Sequence, residues 1–425
     1  MKKEAIKKYI YAFWEKDFED VKERKINMDF LKTDLINDIV GVRRCGKTNL
    51  MYLIAKKGNF IYLNCEDRLV YPLKLEDLNY LIELIYEENL LKKPVFLMLD
   101  EIQTVEKWEV FAKSIYDEFK GRVKLIVSGS VKSLLSKDYG KLLTGRHKSI
   151  ELFPLSFKEF LAFKGFSNFE RITEEKEAKI RKFAEEYLKH GSFPKYILTD
   201  DFSYLEEGFN DIIERDIKSR VEVRKKEVID ELAGLFIERI GTLVSFTKMR
   251  NILRNKGYKV STDLVIRYSS IFETVFLFFF LPIYSPKYSE VIKNPKKIYC
   301  VDNGFFKLFY LNFSENSGKL MENTVAIELL KRGYKTGKDL FYAKVDGKEV
   351  DFVLKKGLKI KQLIQVCYSL EDYNTKEREI KSLLKASKEL KCNNLLIISW
   401  DEEDEIKEKG KNIKVVPLWK WLVFN

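Results

Sequence analysis

Gly41 and Gly46 bracket Val42, Arg43, Arg44 and Cys45, and Lys47 and Thr48 follow directly. Glycines at both ends of such a loop let successive backbone N–H groups turn inward and form a cradle for phosphate oxygens. Lys47 adds a point charge suited to the β- and γ-phosphates of a nucleotide, and the Thr48 hydroxyl is a hard oxygen donor suited to Mg2+. Further along, the apolar run Val95 to Leu99 leads into Asp100 and Glu101. An acid at the end of a buried strand can hold Mg2+ through its water shell, and a second acid beside it can polarise an attacking water. Another apolar run, VKLIVSGS, ends in Ser128 and Ser130. Either serine suits the orienting of a lytic water, with helix capping by Ser130 as the alternative. Arg146 suits an arginine finger acting in trans, a phosphate sensor acting in cis, or a surface residue.

These residues need elements that bring them to one edge. The pattern predicts an amphipathic N-terminal helix, a strand at Leu35 to Val40 before the loop, and a helix after it that ends near Gly58. Next come a strand in NFIYLNCED, a helix from Leu75 to Leu91, the Val95 strand, a helix from Trp108 to Lys120, the VKLIV strand and a last strand at Ser149 to Phe153. Buried strands alternating with helices, each strand followed by its polar residues, make an open parallel α/β sheet with the ligand outside the strand ends.

The 425 residues exceed one ordinary core, so several domains are expected. A hydrophobic fraction of 45% with only 8 prolines is that of a folded chain. The net charge of +12 permits a polyanionic partner without requiring one. Cys45, Cys65, Cys300, Cys367 and Cys392 form no CxxC pair and only His147 and His190 could join them, which argues against zinc and for a reducing cytoplasm. The charged N-terminal segment lacks the apolar stretch of a signal peptide, and the apolar run Val275 to Ile283 is too short to span a bilayer. No membrane association is expected.

The stretches GVRRCGKT, YLNCED, LMLDEIQ, VSGS, LTGR, FPLSFKEF and GSFPKYI together resemble the AAA-type P-loop ATPases of archaea and bacteria that carry a C-terminal domain of unknown function. The resemblance spans essentially the whole chain. It implies ATP binding at Lys47 and Thr48, Mg2+ at Thr48 and Asp100, and a catalytic role for Glu101. Arg43 and Arg44 set the loop apart from those of ring-forming AAA+ proteins, so oligomeric state stays open.

The core is expected over 1–165, followed by a helical lid and connector over 166–228, with Glu170 to Leu198 as lid and Tyr204 to Lys226 as one long charged helix. A solvated face is the expected setting for Arg215 and Asp216 of that helix. Residues 229–315 have the cadence of a winged helix, with a wing formed by LPIYSP and KKIYCVD. Its candidate phosphate contacts are Lys248, Arg250, Arg254, Lys256, Arg267, Lys287, Lys293, Lys296 and Lys297, and docking of a protein partner is the alternative use. Residues 316–425 resemble the PD-(D/E)xK nuclease core, with Glu322, Asp351 and Gln365 in the acidic positions. Cys367 stands where that chemistry needs a lysine, and Lys361 or Lys348 could substitute; an α/β nuclease-like domain without cleavage activity is the expectation. The resulting functional expectation is a Mg2+-dependent ATPase that couples its nucleotide state to movement of C-terminal domains binding nucleic acid or a partner. A low-turnover nucleotide-gated switch is the alternative.

Overall fold

The computed structural model describes residues 2–18, 21–130, 142–167, 169, 172–222, 226–310 and 316–424. It divides into two compact units, Met1–Phe153 and Pro154–Asn425.

In the first unit the chain runs α1 (Lys2–Trp14), β1 (Ile36–Val40), α2 (Lys47–Ala55), β2 (Asn59–Asn64), α3 (Leu75–Glu87), β3 (Val95–Asp100), α4 (Trp108–Phe119), β4 (Val123–Gly129) and β5 (His147–Glu151). The strands form a parallel sheet in the order β2-β3-β4-β1-β5. β1 and β3 are buried along their whole length, as expected for parallel strands covered on both faces. α4 buries Trp108, Phe111, Ala112, Ile115 and Phe119, the spacing of one helical face. β5 begins two residues earlier than its apolar pattern predicts, because pairing with β1 starts at Ile36 and His147. Its outer position tolerates the half-exposed sequence HKSIE, while the apolar Leu152 and Phe153 are buried just beyond it.

The second unit opens with α5 (Phe157–Phe163), α6 (Glu174–His190), α7 (Pro194–Thr199) and α8 (Ser203–Asp211). Then follow α9 (Lys226–Glu238), β6 (Leu243–Val244), α10 (Phe246–Asn255), α11 (Thr262–Thr274), β7 (Phe278–Leu281), α12 (Tyr288–Lys293) and β8 (Lys296–Cys300), with β6, β8 and β7 paired antiparallel in that order. The last part is α13 (Ser317–Lys331), β9 (Leu340–Val345), β10 (Lys348–Lys356), β11 (Lys359–Val366), α14 (Tyr373–Glu389), β12 (Leu395–Ser399), β13 (Asp404–Glu408), β14 (Lys411–Pro417) and α15 (Leu418–Phe424). Its six strands form one mixed sheet, β13-β14-β12-β11-β10-β9.

Several expectations change here. The stretch expected as a lid packs one face of α6 within the second unit: Ile180, Ala184 and Leu188 are buried, and the Tyr187 hydroxyl donates to the Leu155 carbonyl at 3.0 Å. Buried Asp302 accepts from the Ser192 amide at 2.7 Å and its hydroxyl at 2.6 Å, which fixes the α6–α7 turn to the segment after β8. The expected continuous helix from Tyr204 to Lys226 breaks: α8 widens into a π-helical turn at Ile212–Ile217 and tightens at Lys218–Arg220. Residues 223–225 of that stretch lie outside the described residues. Arg215 is exposed beside Asp211, but Asp216 is buried, since the π turn rotates it inward. The strand expected in LPIYSP is instead Phe278–Leu281, ending before Pro282, which cannot donate to a ladder. Among the described residues no helix is long and apolar enough to cross a membrane, and all five cysteines are free and buried.

The pairing of β5 with β1 is reinforced by His147 Nδ1, 3.0 Å from Oδ1 of the buried Asp38. That hydrogen bond raises the imidazole pKa above its ordinary 6.5, against the lowering effect of burial. A raised folded-state pKa contributes stability that is full below pH 6.5 and fades as pH rises through the folded value. Calorimetry of the first unit should therefore show this contribution fading above pH 6.5 in the wild type and missing in His147→Gln. An unchanged pH profile in the variant would remove the His147–Asp38 pair from the account.

Candidate nucleotide site

The loop between β1 and α2 is shaped by two glycines. A Cβ at Gly41 would lie 2.0 Å from the Leu152 carbonyl oxygen, and Gly46 adopts φ of 102° as the chain enters α2. Arg44 also sits at positive φ, which completes the turn before α2. Lys47 is 5% exposed and folds back over the loop, its Nζ donating to the carbonyls of Gly41 at 3.1 Å and Val42 at 3.3 Å. Carbonyls that hold the ammonium in this way are partners it can exchange for phosphate oxygens. Arg24 supplies a brace: its guanidinium donates to the Cys45 carbonyl at 2.9 Å and the Phe153 carbonyl at 3.0 Å, tying the loop to the chain beyond β5. Cys45 is fully buried and burial pushes its thiol pKa up, so it is packing and not a nucleophile.

Asp100, at the end of β3, is 1% exposed and is the centre of the site. Its Oδ2 accepts from the Thr48 hydroxyl at 2.6 Å and from the Tyr62 hydroxyl at 2.8 Å, and its Oδ1 accepts from the Ser128 hydroxyl. The Ser128 oxygen in turn accepts from the Glu101 amide at 3.2 Å. Glu101 follows at φ 52°, and the Gln103 amide holds its Oε2 at 2.6 Å. Thus the loop, β2, β3 and β4 converge through side chains that belong to different segments. The adjacent hydroxyl of Thr48 and carboxylate of Asp100 are hard oxygen donors of the kind Mg2+ takes, so the residues fit that ion.

Of the residues expected from sequence, the loop, Thr48, Asp100, Glu101 and Ser128 come together. Ser130 is buried one residue beyond β4. Arg146 does not fit a phosphate sensor in cis. It precedes β5, whose first residue pairs with Ile36 at the start of β1, whereas the loop follows the far end of that strand. Five strand residues put the two ends roughly 16 Å apart. Arg146 lies instead beside Asp117 at 3.7 Å and over the Tyr116 ring. Sequence reasoning missed Arg24, Tyr62 and Gln103. Only Gln103 carried a local signal, an amide two residues from the candidate catalytic acid.

The acidic positions of the C-terminal sheet also converge, around an unexpected cation. Lys297 is 1% exposed, and its Nζ lies 2.9 Å from Glu322, 2.7 Å from Glu349 and 2.7 Å from Asp351. The register between β10 and β9 shifts at Asp351–Phe352, a bulge that re-aims the strand. Lys297 is therefore not a surface phosphate contact: in the β8 sequence KKIYC the second lysine points inward to this cluster. Gln365 accepts from the Asp351 amide at 3.3 Å and donates to Glu379, and the Cys367 thiol donates to the Ser369 carbonyl. Burial pushes the Glu322 carboxyl up to about 7, against the pull of Lys297.

Residues 34–161 match an AAA domain model, and residues 181–316 and 317–421 match two domains of unknown function, DUF8612 and DUF4143. The chain is 35% identical over 416 residues to the uncharacterized protein MJ1544 of Methanocaldococcus jannaschii, covering 94% of this chain and 91% of that one. An uncharacterized protein of Haemophilus influenzae is 30% identical over 364 residues, covering 83% and 87%. Among solved structures, the Walker-type ATPase PABY2304 of Pyrococcus abyssi aligns at TM-score 0.45 and 14% identity, over 68% of this chain and 98% of that one.

The Lys297 cluster yields a direct test. Removing one partner of a buried ionic group leaves uncompensated charge and costs about 3–5 kcal/mol. Lys297→Met should show that loss in denaturant unfolding of the second unit at pH 8. The loss should be largest at alkaline pH and shrink as pH falls toward the wild-type Glu322 value of about 7, because without Lys297 the Glu322 carboxyl takes up its proton at a higher pH than in the wild type. A Lys297→Met protein as stable as wild type at pH 8 would contradict the cluster.

Proposed function

The chain belongs to the family of AAA-type P-loop ATPases that carry two C-terminal domains of unknown function, and from that premise we propose that it hydrolyses ATP with Mg2+ and uses the nucleotide state to move its C-terminal domains on a nucleic acid or a protein partner. The observation that carries this reading is the Asp100 carboxylate, buried at the mouth of the phosphate loop and bonded to both Thr48 and Ser128.

With ATP seated, backbone N–H groups of the loop between Gly41 and Thr48 bind the phosphate oxygens, and Lys47 leaves the Gly41 and Val42 carbonyls to reach the β- and γ-phosphates. Thr48 and Asp100 are the residues that would hold Mg2+, which would neutralise charge on the phosphates. Glu101 accepts a hydrogen bond from the attacking water and turns it toward the γ-phosphorus; its free oxygen, Oε1, is the one not held by Gln103. Ser128 transmits the position of Asp100 to the Glu101 backbone, so the two acids act in register. Loss of the γ-phosphate releases Lys47, and that release is the signal available to the rest of the molecule.

In the second unit, the order helix, strand, helix, helix, strand, helix, strand over 226–300 supports a winged-helix reading. Lys248, Arg254, Lys256, Arg267, Lys287 and Lys293 are exposed there and suit phosphate contacts, Arg250 and Lys296 are half-buried, and Lys297 drops out. For the C-terminal sheet we infer a binding or structural role without phosphodiester cleavage, since the Lys297 ammonium takes up the space among the acids. The contact of Gln103 with Glu101 supports the second reading, a switch with low basal turnover.

Lys47→Ala should lose nucleotide binding, and Glu101→Gln should bind ATP with turnover reduced by about 100-fold or more, the range for a lost general base. Wild-type turnover in Glu101→Gln would displace Glu101 from its role. Turnover measured with and without DNA or RNA separates the two outputs. Stimulation by nucleic acid, falling steeply with salt, supports coupled remodelling. Saturable ATP binding with negligible turnover under each condition supports the switch.

A further inference from the structure

The Asp100 carboxylate has a third donor that the phosphate loop does not supply. Tyr62 lies on β2, is 1% exposed, and donates its hydroxyl to the same oxygen that Thr48 engages. A phenol ring that is buried and packed on both sides is a rigid mount for a hydrogen bond, and the mount here is built by α1 and α2 together. The Phe13 ring stacks on Tyr62 with centroids 4.2 Å apart and planes at 21°. Tyr52 of α2 meets the Tyr62 ring edge-on at 5.5 Å, and Phe13 also packs against Tyr52, Phe18 and Phe60. The helix is held in place by the Trp14 indole donating to the Phe60 carbonyl at 2.9 Å and by Lys7 pairing with Glu87 of α3 at 2.9 Å.

We propose that α1 is a working part of the nucleotide site: Phe13 holds Tyr62, and Tyr62 is a positioning residue that sets the Asp100 carboxylate for Mg2+-dependent nucleotide binding. α1 lies outside the matched AAA domain, which begins at residue 34. The chemistry is straightforward. A carboxylate with two hydroxyls on Oδ2 and one on Oδ1 has a single orientation, and it keeps that orientation through Tyr62 and Ser128 when Thr48 turns to the metal. Without the phenol, one buried lone pair is unsatisfied and the side chain gains freedom about χ2. The same connection makes the site sensitive to whatever displaces α1.

The inference rests on the ATP reading above, and the test keeps the two apart. Binding of a fluorescent ATP analogue is titrated with Mg2+, and separately in EDTA, for wild type, Tyr62→Phe and Phe13→Leu. Tyr62→Phe retains the ring and removes only the hydroxyl. Its half-saturating Mg2+ should rise about tenfold, the equivalent of one hydrogen bond to a charged group, with affinity in EDTA unchanged and the melting temperature lowered modestly by the hydrogen bond lost to buried Asp100. Phe13→Leu should move the Mg2+ midpoint in the same direction by a smaller factor. A wild-type Mg2+ midpoint in Tyr62→Phe, or an equal loss in EDTA, overturns the positioning role. If the wild type itself binds no nucleotide, the ATP reading fails instead. Should Phe13→Leu fail to fold, the Tyr62→Phe comparison still decides the proposal.

Discussion

A buried carboxylate must be hydrogen-bonded from every side or it is expelled or protonated, and the first unit is arranged to meet that demand at Asp100. Three hydroxyls from three elements meet it: Thr48 at the start of α2, Tyr62 on β2 and Ser128 on β4. The parallel sheet exists at this register because β3 is apolar from Val95 to Leu99 and must be covered on both faces. Its neighbours β2 and β4 therefore deliver their polar ends to the same edge. The energetic requirement of one acid and the apolar requirement of one strand lead to the same geometry.

The second unit repeats the constraint with a different answer. Glu322 from α13 and Glu349 and Asp351 from β10 share one ammonium, that of Lys297 on β8. The Tyr299 hydroxyl, on the same strand, also donates to Glu322 at 2.7 Å. The three-stranded sheet and the six-stranded sheet are thereby joined through ionic and hydrogen-bonded contacts, a joint that specifies one arrangement of the two sheets. In the nucleotide site the acid is left with neutral donors and remains available to a metal. In the C-terminal sheet the protein's own cation occupies the acids, and this difference is the physical basis of the proposal that the first unit does chemistry and the C-terminal sheet does not.

The phosphate loop and the acids at the end of β3 were legible in the sequence because each is local. Spacing alone places Gly41, Gly46, Lys47 and Thr48 on one turn, and an apolar run alone places Asp100 and Glu101 at a strand end. Arg24, Tyr62 and Lys297 were not legible, since each acts on residues distant in sequence and each has an ordinary local setting. Lys297 reads as one of a basic pair before an apolar strand; only the register of β8 turns it inward. For Arg146 the sequence left an arginine finger, a phosphate sensor in cis and a surface residue all open, because spacing does not say to which end of the sheet a residue before β5 belongs. Parallel pairing puts it at the end of the sheet opposite the phosphate loop. The charged stretch after Tyr204 read as one helix because its period is helical, and the π turn that buries Asp216 leaves no mark in that period.

The central claim is that the first unit is a Mg2+–ATP site built around Asp100, and calorimetric melting of the whole wild-type chain tests it most directly. At ATP concentrations about 100 times the dissociation constant, with Mg2+ present, linkage gives about 2.7 kcal/mol, which should raise the melting of the first unit by roughly 5–10 °C. The shift should grow with ATP concentration, shrink in EDTA, and leave the transition of the second unit in place. A first-unit transition that does not move at millimolar Mg2+–ATP would contradict the account.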